Sequence, residues 1–412
     1  MDFEERAYMS DPYRVEFTAK VRKVEPDEQG QSAVYLDRTY FYPESGGQPE
    51  DRGTLGGKAV VSVTEDDEGV RHLVAGTLAP GKEVEGKIDS ARRFDHMQQH
   101  SGQHLLSRVL FERLGGRTIG FHLGEKESTI DLDIEVPAED DAADVEMKVN
   151  LLIWKNIPIS DRVVGREEYE KLQRDAAGTP AEEIRSRLPE GTERVRIIEI
   201  DTIDSSTCCG THCRTTGEIG MVKLLGWERI RQTARVSFVC GSRAYIDYAE
   251  KHDLLKNLGL VFSSDWRELA DRVPEMFEMV KRLGKDRKEL IKRLSGYMAA
   301  ELAVPTDTVK DLDLVKRLFK RDETDIDLKS TAQHIQKMEN KIVLFANDVG
   351  EFVFACSDGI PINMGEVLKN SITAAGGRGG GGPTFAQGGG GDGAKITDAL
   401  DEAERLVREA LE

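Results

Sequence analysis

Residues 96–107 read HMQQHSGQHLLS, and the histidine at every fourth position of that run decides how the rest of the chain is read. In an α-helix, side chains four apart stand one above the other, so His96, His100 and His104 share a face. The apolar positions Leu105, Leu106, Val109, Leu110 and Leu114, followed by Gly115 and Gly116, predict a helix from Phe94 to Leu114. Imidazoles on adjacent turns can grip one ion. A second pair lies in the loop CCGTHC, where Cys208 and His212 are also four apart and Gly210 permits a tight bend. Thiolate plus imidazoles is zinc chemistry, so His100, His104, Cys208 and His212 are the candidate ligands of one Zn2+ per chain. A zinc protease places glutamate directly after its first histidine, whereas Ser101 follows His100 and Met97 follows His96, which argues against peptidase chemistry. Four ligands suit a structural ion and a catalytic ion keeps one position open; ligand count alone is compatible with both.

Outward from this core, residues 1–90 alternate apolar and polar side chains in short runs, Val15 to Val21, Ser32 to Tyr42, Val60 to Val63 and Arg71 to Val74, which predicts a small β-barrel or sandwich. One of these runs leads into LDRTYFYPESGGQPEDRG, Leu36 to Gly53, whose Gly46 and Gly47 mark a turn that ends on Gln48. Residues 91–241 mix helix and strand signals and read as an α+β domain holding the zinc site. Residues 242–302 are almost wholly helical, in two stretches separated near Gly259 to Ser264, with Asp265 and Glu268 spaced as a cap pair for the second. Met276, Val280, Leu283, Arg287, Leu290, Leu294 and Tyr297 step by four and three, a seam that fits both an intramolecular helical hairpin and a dimeric coiled coil. Residues 303–412 read as an α/β domain with strands at Lys341 to Ala346 and Phe352 to Cys356 and a final helix from Lys395. Within it, GGRGGGGPTFAQGGGGDG (Gly376 to Gly393) is read as a backbone loop approaching a phosphate or ribose, with Arg378 as a candidate contact, rather than as a linker.

The chain carries 57 basic and 75 acidic residues, a net charge of −18, which excludes coating of nucleic acid through bulk charge. Any phosphate contact is local. The stretch Lys281 to Arg293, with seven basic residues against two acidic, reverses the global sign. Five cysteines, three of them in one loop, make no disulfide framework. No apolar run approaches the ~18 residues that span a bilayer, and the start MDFEERAYMSD lacks a secretory profile. A cytoplasmic location without membrane contact is expected.

Taken in order, LDRTYFYPESGGQPEDRG, HMQQHSGQHLLS and STCCGTHCRTTGEIG resemble the editing half of alanyl-tRNA synthetase and its free-standing relatives, the AlaX proteins. The glycine tract is similar to the signature of the DHH-associated domain that ends the synthetase and the long AlaX forms. The resemblance implies hydrolysis, in trans, of tRNA(Ala) wrongly esterified with serine or glycine. It also implies a chain without room for the amino-acid-activating domains. By the same resemblance Thr39 recognises the serine hydroxyl, Gly46 and Gly47 let the backbone approach the terminal adenosine, and Gln48 donates to a ribose or carbonyl oxygen. Thr39 and Gln48 are thus the candidate catalytic residues. The C-terminal domain would grip the tRNA and, like the helical segment, could form a homodimer. Cys209 departs from the family's C-G-G-T-H, and the C-x-x-x-H spacing favours Cys208 as the ligand; His96 is expected outside the ligand set. Two other readings use the same residues: a zinc-stabilised tRNA-binding module without catalysis, and a DHH-type phosphoesterase, of whose D-H-H run Asp95-His96-Met97 is a partial echo.

Overall fold

Alternation along residues 16–21 puts Phe17, Ala19 and Val21 on one side of the chain and Glu16, Thr18 and Lys20 on the other. In the computed structural model the first set is buried and the second exposed. The structure describes residues 4–27, 30–176, 193–320, 326–390 and 392–412. The strand β1 (Glu16–Pro26) joins β2 (Gln31–Leu36), β3 (Gly53–Leu55), β4 (Lys58–Asp66), β5 (Gly69–Ala75) and β6 (Glu83–Ile88) in a closed barrel of order β1-β2-β5-β4-β3-β6. Closure leaves no exposed sheet edge and encloses Phe17, Val21, Val34, Leu36, Phe41, Leu55 and Val74. The strand expected over Ser32 to Tyr42 stops at Leu36. Beyond it other groups take the backbone bonds: Thr39 N–H donates to Glu5 O, Tyr42 N–H to the Asp51 carboxylate, and Tyr40 O accepts from Arg93.

Helix α1 (Ser90–Leu114) is capped by Asp89, whose carboxylate accepts from the N–H groups of Ala91 and Arg92, and it ends at Gly115 with φ 71°. It is buried on nearly every side, polar residues included. Around it lie β7 (Thr118–Leu123), β8 (Ser128–Leu132), α2 (Glu139–Trp154), β9 (Ile159–Gly165), α3 (Arg166–Ala176), β10 (Arg194–Ile200), β11 (Asp204–Thr207), β12 (Val222–Ile230) and β13 (Thr233–Cys240). The strands form two sheets, β12-β13-β8-β7 and β11-β10-β9. Leu105, Leu106, Val109 and Leu110 pack against Ile130, Val145, Val149, Val236 and Phe238. Barrel and helix are locked by a buried ion pair: Arg93 Nε donates to both Asp51 oxygens at 3.1 Å, with the two side chains 1% and 0% exposed.

The chain divides into two compact units, Met1–Asn257 and Leu258–Glu412, and α4 (Gly241–Phe262) runs from one into the other. Asp265 caps the 3-10 turn Trp266–Glu268 that leads directly into the long helix α5 (Leu269–Leu302), without the reciprocal bond from Glu268 that the spacing suggests. Its carboxylate accepts from Arg267 N–H in that turn, and Glu268 makes no side-chain capping bond. Met276, Val280, Leu283, Leu290 and Leu294 of α5 are exposed. The second unit is built on a sheet of order β14-β15-β16-β17-β19-β18, formed by β14 (Asp307–Val309), β15 (Leu312–Phe319), β16 (Lys341–Asn347), β17 (Glu351–Cys356), β18 (Arg378–Gly381) and β19 (Phe385–Gly389). Among the described residues, β15 and β16 are the one parallel pair of this sheet. Buried on both faces, β16 reads as an unbroken apolar run. The end of α5 and α6 (Leu328–Gln336) cover one face; α7 (Met364–Thr373) and α8 (Ile396–Leu411) cover the other.

The glycine tract is not a loop over its length. It forms the edge hairpin β18–β19, on which α7 lies so closely that a Cβ on Gly388 would come within 2.7 Å of Ile372. Gly391 of that tract lies outside the described residues. Among the described residues, no helix is long and apolar enough to cross a membrane. Replacing Asp51 with Asn strands the Arg93 charge in the interior. Urea unfolding of this variant is expected to show a loss of about 3–5 kcal/mol in the first unit; a loss below about 1 kcal/mol would show that the pair does not lock barrel to helix.

Candidate metal centre

Four donors from two distant segments meet in the first unit. One ligand atom each from His100, His104, Cys208 and His212 lies within 4.8 Å of the others. Helix α1 supplies the first two as stacked rings with centroids 5.1 Å apart, and the loop after β11 supplies the others. The His212 ring is 4.5 Å from that of His100 and 4.9 Å from that of His104. Cys208 Sγ is 3.3 Å from His100 Nε2 and 3.4 Å from His212 Nε2. Tetrahedral zinc with bonds of ~2.0 Å to nitrogen and ~2.3 Å to sulfur requires edges of roughly 3.5 Å. The donor set therefore fits such an ion by type and by spacing.

Side chains behind the donors fix which nitrogen points inward. Gln48 Oε1 accepts from His100 Nδ1 at 2.7 Å and from Thr211 N–H at 3.2 Å, while its Nε2 donates to Thr211 Oγ1 at 3.0 Å. His100 is thereby held with Nε2 toward the cluster. A parallel relay serves His104, whose Nδ1 donates to Ser206 Oγ at 2.8 Å; Ser206 in turn donates to Asp204 Oδ2 at 3.2 Å. Such partners set tautomer and ring orientation. The buried Arg196 holds the loop itself, donating to Gly210 O at 2.8 Å, Cys208 O at 3.3 Å and Met9 O at 2.9 Å, with Nε on Asp161. Gly210 has to be glycine, since a Cβ there would sit 2.2 Å from the His100 ring.

Burial governs the protonation of the donors. Burial, then the charges of neighbouring imidazoles and Arg196, hold His100 and His212 well below the ordinary histidine range. Burial pushes the Cys208 thiol up to about 12, against the opposing pull of Gly210 N–H and Arg196. Neutral rings offer lone pairs, and loading a dication is coupled to loss of the thiol proton.

The remaining sequence candidates are distributed. Gly46 and Gly47 form the turn closed by Ser45 and Gln48, and Gly47 O accepts from Leu123 N–H at 2.8 Å. Gln48 is fully buried, with its amide engaged by the cradle. Thr39 sits in the barrel, its Oγ1 2.8 Å from His72 Nε2 and accepting from Phe41 N–H at 3.1 Å; His72 Nδ1 lies 3.0 Å from Val34 O. Arg378 is in the second unit, exposed on β18. His96 is buried outside the cluster, and Cys209 packs toward the barrel core. Sequence reasoning missed Arg196, Asp204, Ser206 and His72. Arg196 had a legible signal, a cation in the middle of the apolar strand RVRIIEI.

Comparison with known proteins matches residues 195–235 to the Threonyl and Alanyl tRNA synthetase second additional domain and residues 313–409 to the DHHA1 domain. The alanyl-tRNA editing protein AlaX-L of Pyrococcus horikoshii is 31% identical over 93% of this chain and 94% of its own length. The alanyl-tRNA editing protein Aarsd1 of Danio rerio is 34% identical over 65% of this chain and 63% of its own. The alanine–tRNA ligase of Pyrococcus abyssi is 29% identical over 97% of this chain, which spans 43% of the ligase.

If the braces act as the geometry indicates, Gln48→Ala and Ser206→Ala each weaken zinc affinity by about 10–100-fold, and His104→Ala or Cys208→Ala abolish stoichiometric loading. Competition against a chromophoric chelator reads both effects. Wild-type affinity in both brace variants would remove Gln48 and Ser206 from the centre.

Proposed function

The chain belongs to the AlaX family of alanyl-tRNA editing proteins, and from that premise we propose that it hydrolyses, in trans, the ester of tRNA(Ala) mischarged with serine or glycine. Water adds to the ester carbonyl and the bond to the ribose oxygen breaks, releasing the amino acid and the free tRNA end. One observation carries the reading. Three motif segments far apart in sequence converge on one cradle, Gln48 from the barrel loop, His100 and His104 from α1, and Cys208 and His212 from the loop after β11. The donor set supports a resident zinc ion, which with all four donors bound would organise the site, and with one of them displaced would polarise a carbonyl or anchor the substrate amine.

The hydrogen bonds at Thr39 support a serine filter. His72 is neutral, since burial lowers its pKa to about 4. With its Nδ1–H given to Val34 O, the Nε2 lone pair takes the Thr39 hydroxyl proton. Thr39 Oγ1 already accepts from Phe41 N–H, so its remaining capacity is a second lone pair. A serine hydroxyl can donate to it and an alanine methyl cannot.

Contact with the tRNA body is assigned to Arg378 and to the basic face of α5, where Lys281 is the one residue of the seven between Lys281 and Arg293 with a carboxylate partner among the described residues. Affinity then falls steeply with salt. The exposed seam of α5 supports a homodimer.

Deacylation of seryl-, glycyl- and alanyl-tRNA(Ala), measured side by side with and without a chelator, tests the reading. Hydrolysis of the seryl ester with the alanyl ester spared is expected, and charged tRNA that survives incubation with the zinc-loaded chain rejects it. In Thr39→Val the seryl-over-alanyl preference should drop about tenfold, the worth of one hydrogen bond of roughly 1.4 kcal/mol.

A further inference from the structure

In a chain with 75 acidic residues, three exposed arginines of the first unit combine two features, no carboxylate partner, which Arg229 and Arg231 share, and a place on a tyrosine ring, which those two do not. Among the described residues, Arg14, Arg38 and Arg214 have no carboxylate in salt-bridge contact, whereas Arg93, Arg196, Arg235 and Arg243 are all paired. Instead each lies on a tyrosine ring. The Arg14 and Arg38 guanidinium carbons are 5.2 and 5.9 Å from the Tyr40 ring centroid, and that of Arg214 is 4.0 Å from Tyr13. Cation–π contact orients a guanidinium while leaving N–H groups for a phosphate oxygen; Arg14 gives one of its own, from Nη1, to the Tyr40 hydroxyl at 3.4 Å.

Position gives the cluster its meaning. Arg214 is two residues beyond the donor His212, and Tyr40 follows Thr39. The segment between them is pinned at both ends. Tyr13 OH accepts from Arg214 N–H at 2.9 Å and donates to Glu218, while Arg93 donates to Pro12 O and Tyr40 O, and Arg196 to Met9 O. The three guanidiniums thus sit on a strip that joins the metal loop to the barrel rim. The donor rings are buried, so a terminal ester reaches them only on an unpaired end that can be threaded inward. Phosphates just behind that ester would then lie toward Arg214, two residues beyond His212, and the strip that it begins.

We propose that Arg14, Arg38 and Arg214 form a binding site for the phosphodiester backbone of a single-stranded RNA 3′ end, set by Tyr13 and Tyr40. This rests on the editing reading, and it names how the substrate is held rather than how it is cleaved. The test uses the full zinc-loaded chain and a short, unesterified single-stranded RNA, with fluorescence anisotropy over a salt series. Wild type is expected to bind with log Kd linear in log salt. Each of Arg14→Gln, Arg38→Gln and Arg214→Gln should lower the slope by about 0.7 and the triple variant by about 2, at unchanged Tm. Arg214→Lys should keep the slope while weakening binding, because the charge remains and the stacked fork is lost.

A folded triple variant with wild-type Kd and slope overturns the site, as does a wild type that shows no salt-dependent binding. Because the probe carries no ester, the two readings fail separately. RNA binding lost in the variants, from a chain that deacylates nothing, leaves the site standing and removes the editing reading.

Discussion

The hydrogen bond between Gln48 Oε1 and His100 Nδ1, at 2.7 Å, is the contact on which the first unit is organised. It fixes the imidazole proton on the outer nitrogen and so turns Nε2 to the cluster. It also makes the barrel part of the candidate metal centre, although no barrel residue belongs to the four-donor cluster. The same amide accepts from Thr211 N–H and donates to its hydroxyl, so one side chain registers the ligand loop against the ligand helix. This explains physically why the G-G-Q turn, the H-x-x-x-H helix and the C-x-G-T-H loop form one object.

A helix carrying this many buried polar groups is costly unless each finds a partner. Most of those of α1 do so by stitching the fold, whereas, among the described residues, His96 Nδ1 and Gln103 Oε1 are buried without a hydrogen bond. Gln99 makes two bonds to the backbone of Cys240, donating to its O and accepting from its N–H; Gln98 donates to Glu218 O and accepts from Ser242 N–H. Asp95 pairs with Arg243 and Arg93 with Asp51. About two turns of helix, Arg93 to Gln99, thus clasp the end of β13, the start of α4 and the barrel loop. His100, the next residue, and His104, one turn further along, inherit a position set from several sides, which gives the candidate ligands on this helix the rigidity that an ion site needs.

What was legible in the sequence follows from the range of the interactions. His100 with His104, and Cys208 with His212, are local pairs whose spacing is visible without a fold, and the alternation at Phe17, Ala19 and Val21 reveals a barrel strand for the same reason. Gln48 as a brace was not visible, because its partners lie 52 and 163 residues away. Ser206 and Asp204 look like ordinary loop residues until β11 brings them under a ring 102 residues distant from Ser206. The glycine tract was misread for a different reason. A strand is recognised by alternating side chains, and in β18 and β19 glycine removes most of them so that α7 can approach. The end of the strand at Leu36 was equally hidden, since Asp51 and Glu5 compete for backbone bonds that local propensity assigns to a ladder.

His72 shows how a buried group can set polarity without carrying charge. A neutral histidine clamped at Nδ1 presents a single acceptor, whereas a serine or threonine in its place would present a rotatable donor and acceptor. The direction of the Thr39 hydroxyl is therefore dictated from inside the barrel and is unaffected by pH until the medium becomes acid enough to protonate a ring whose pKa is about 4. An acceptor of fixed direction discriminates by what it withholds as well as by what it offers. A donor-bearing side chain gains a bond there, while an apolar one leaves a lone pair unsatisfied in a dry site. In the proposed reading the filter is the pairing of Thr39 with His72, and the threonine alone would be a weaker one.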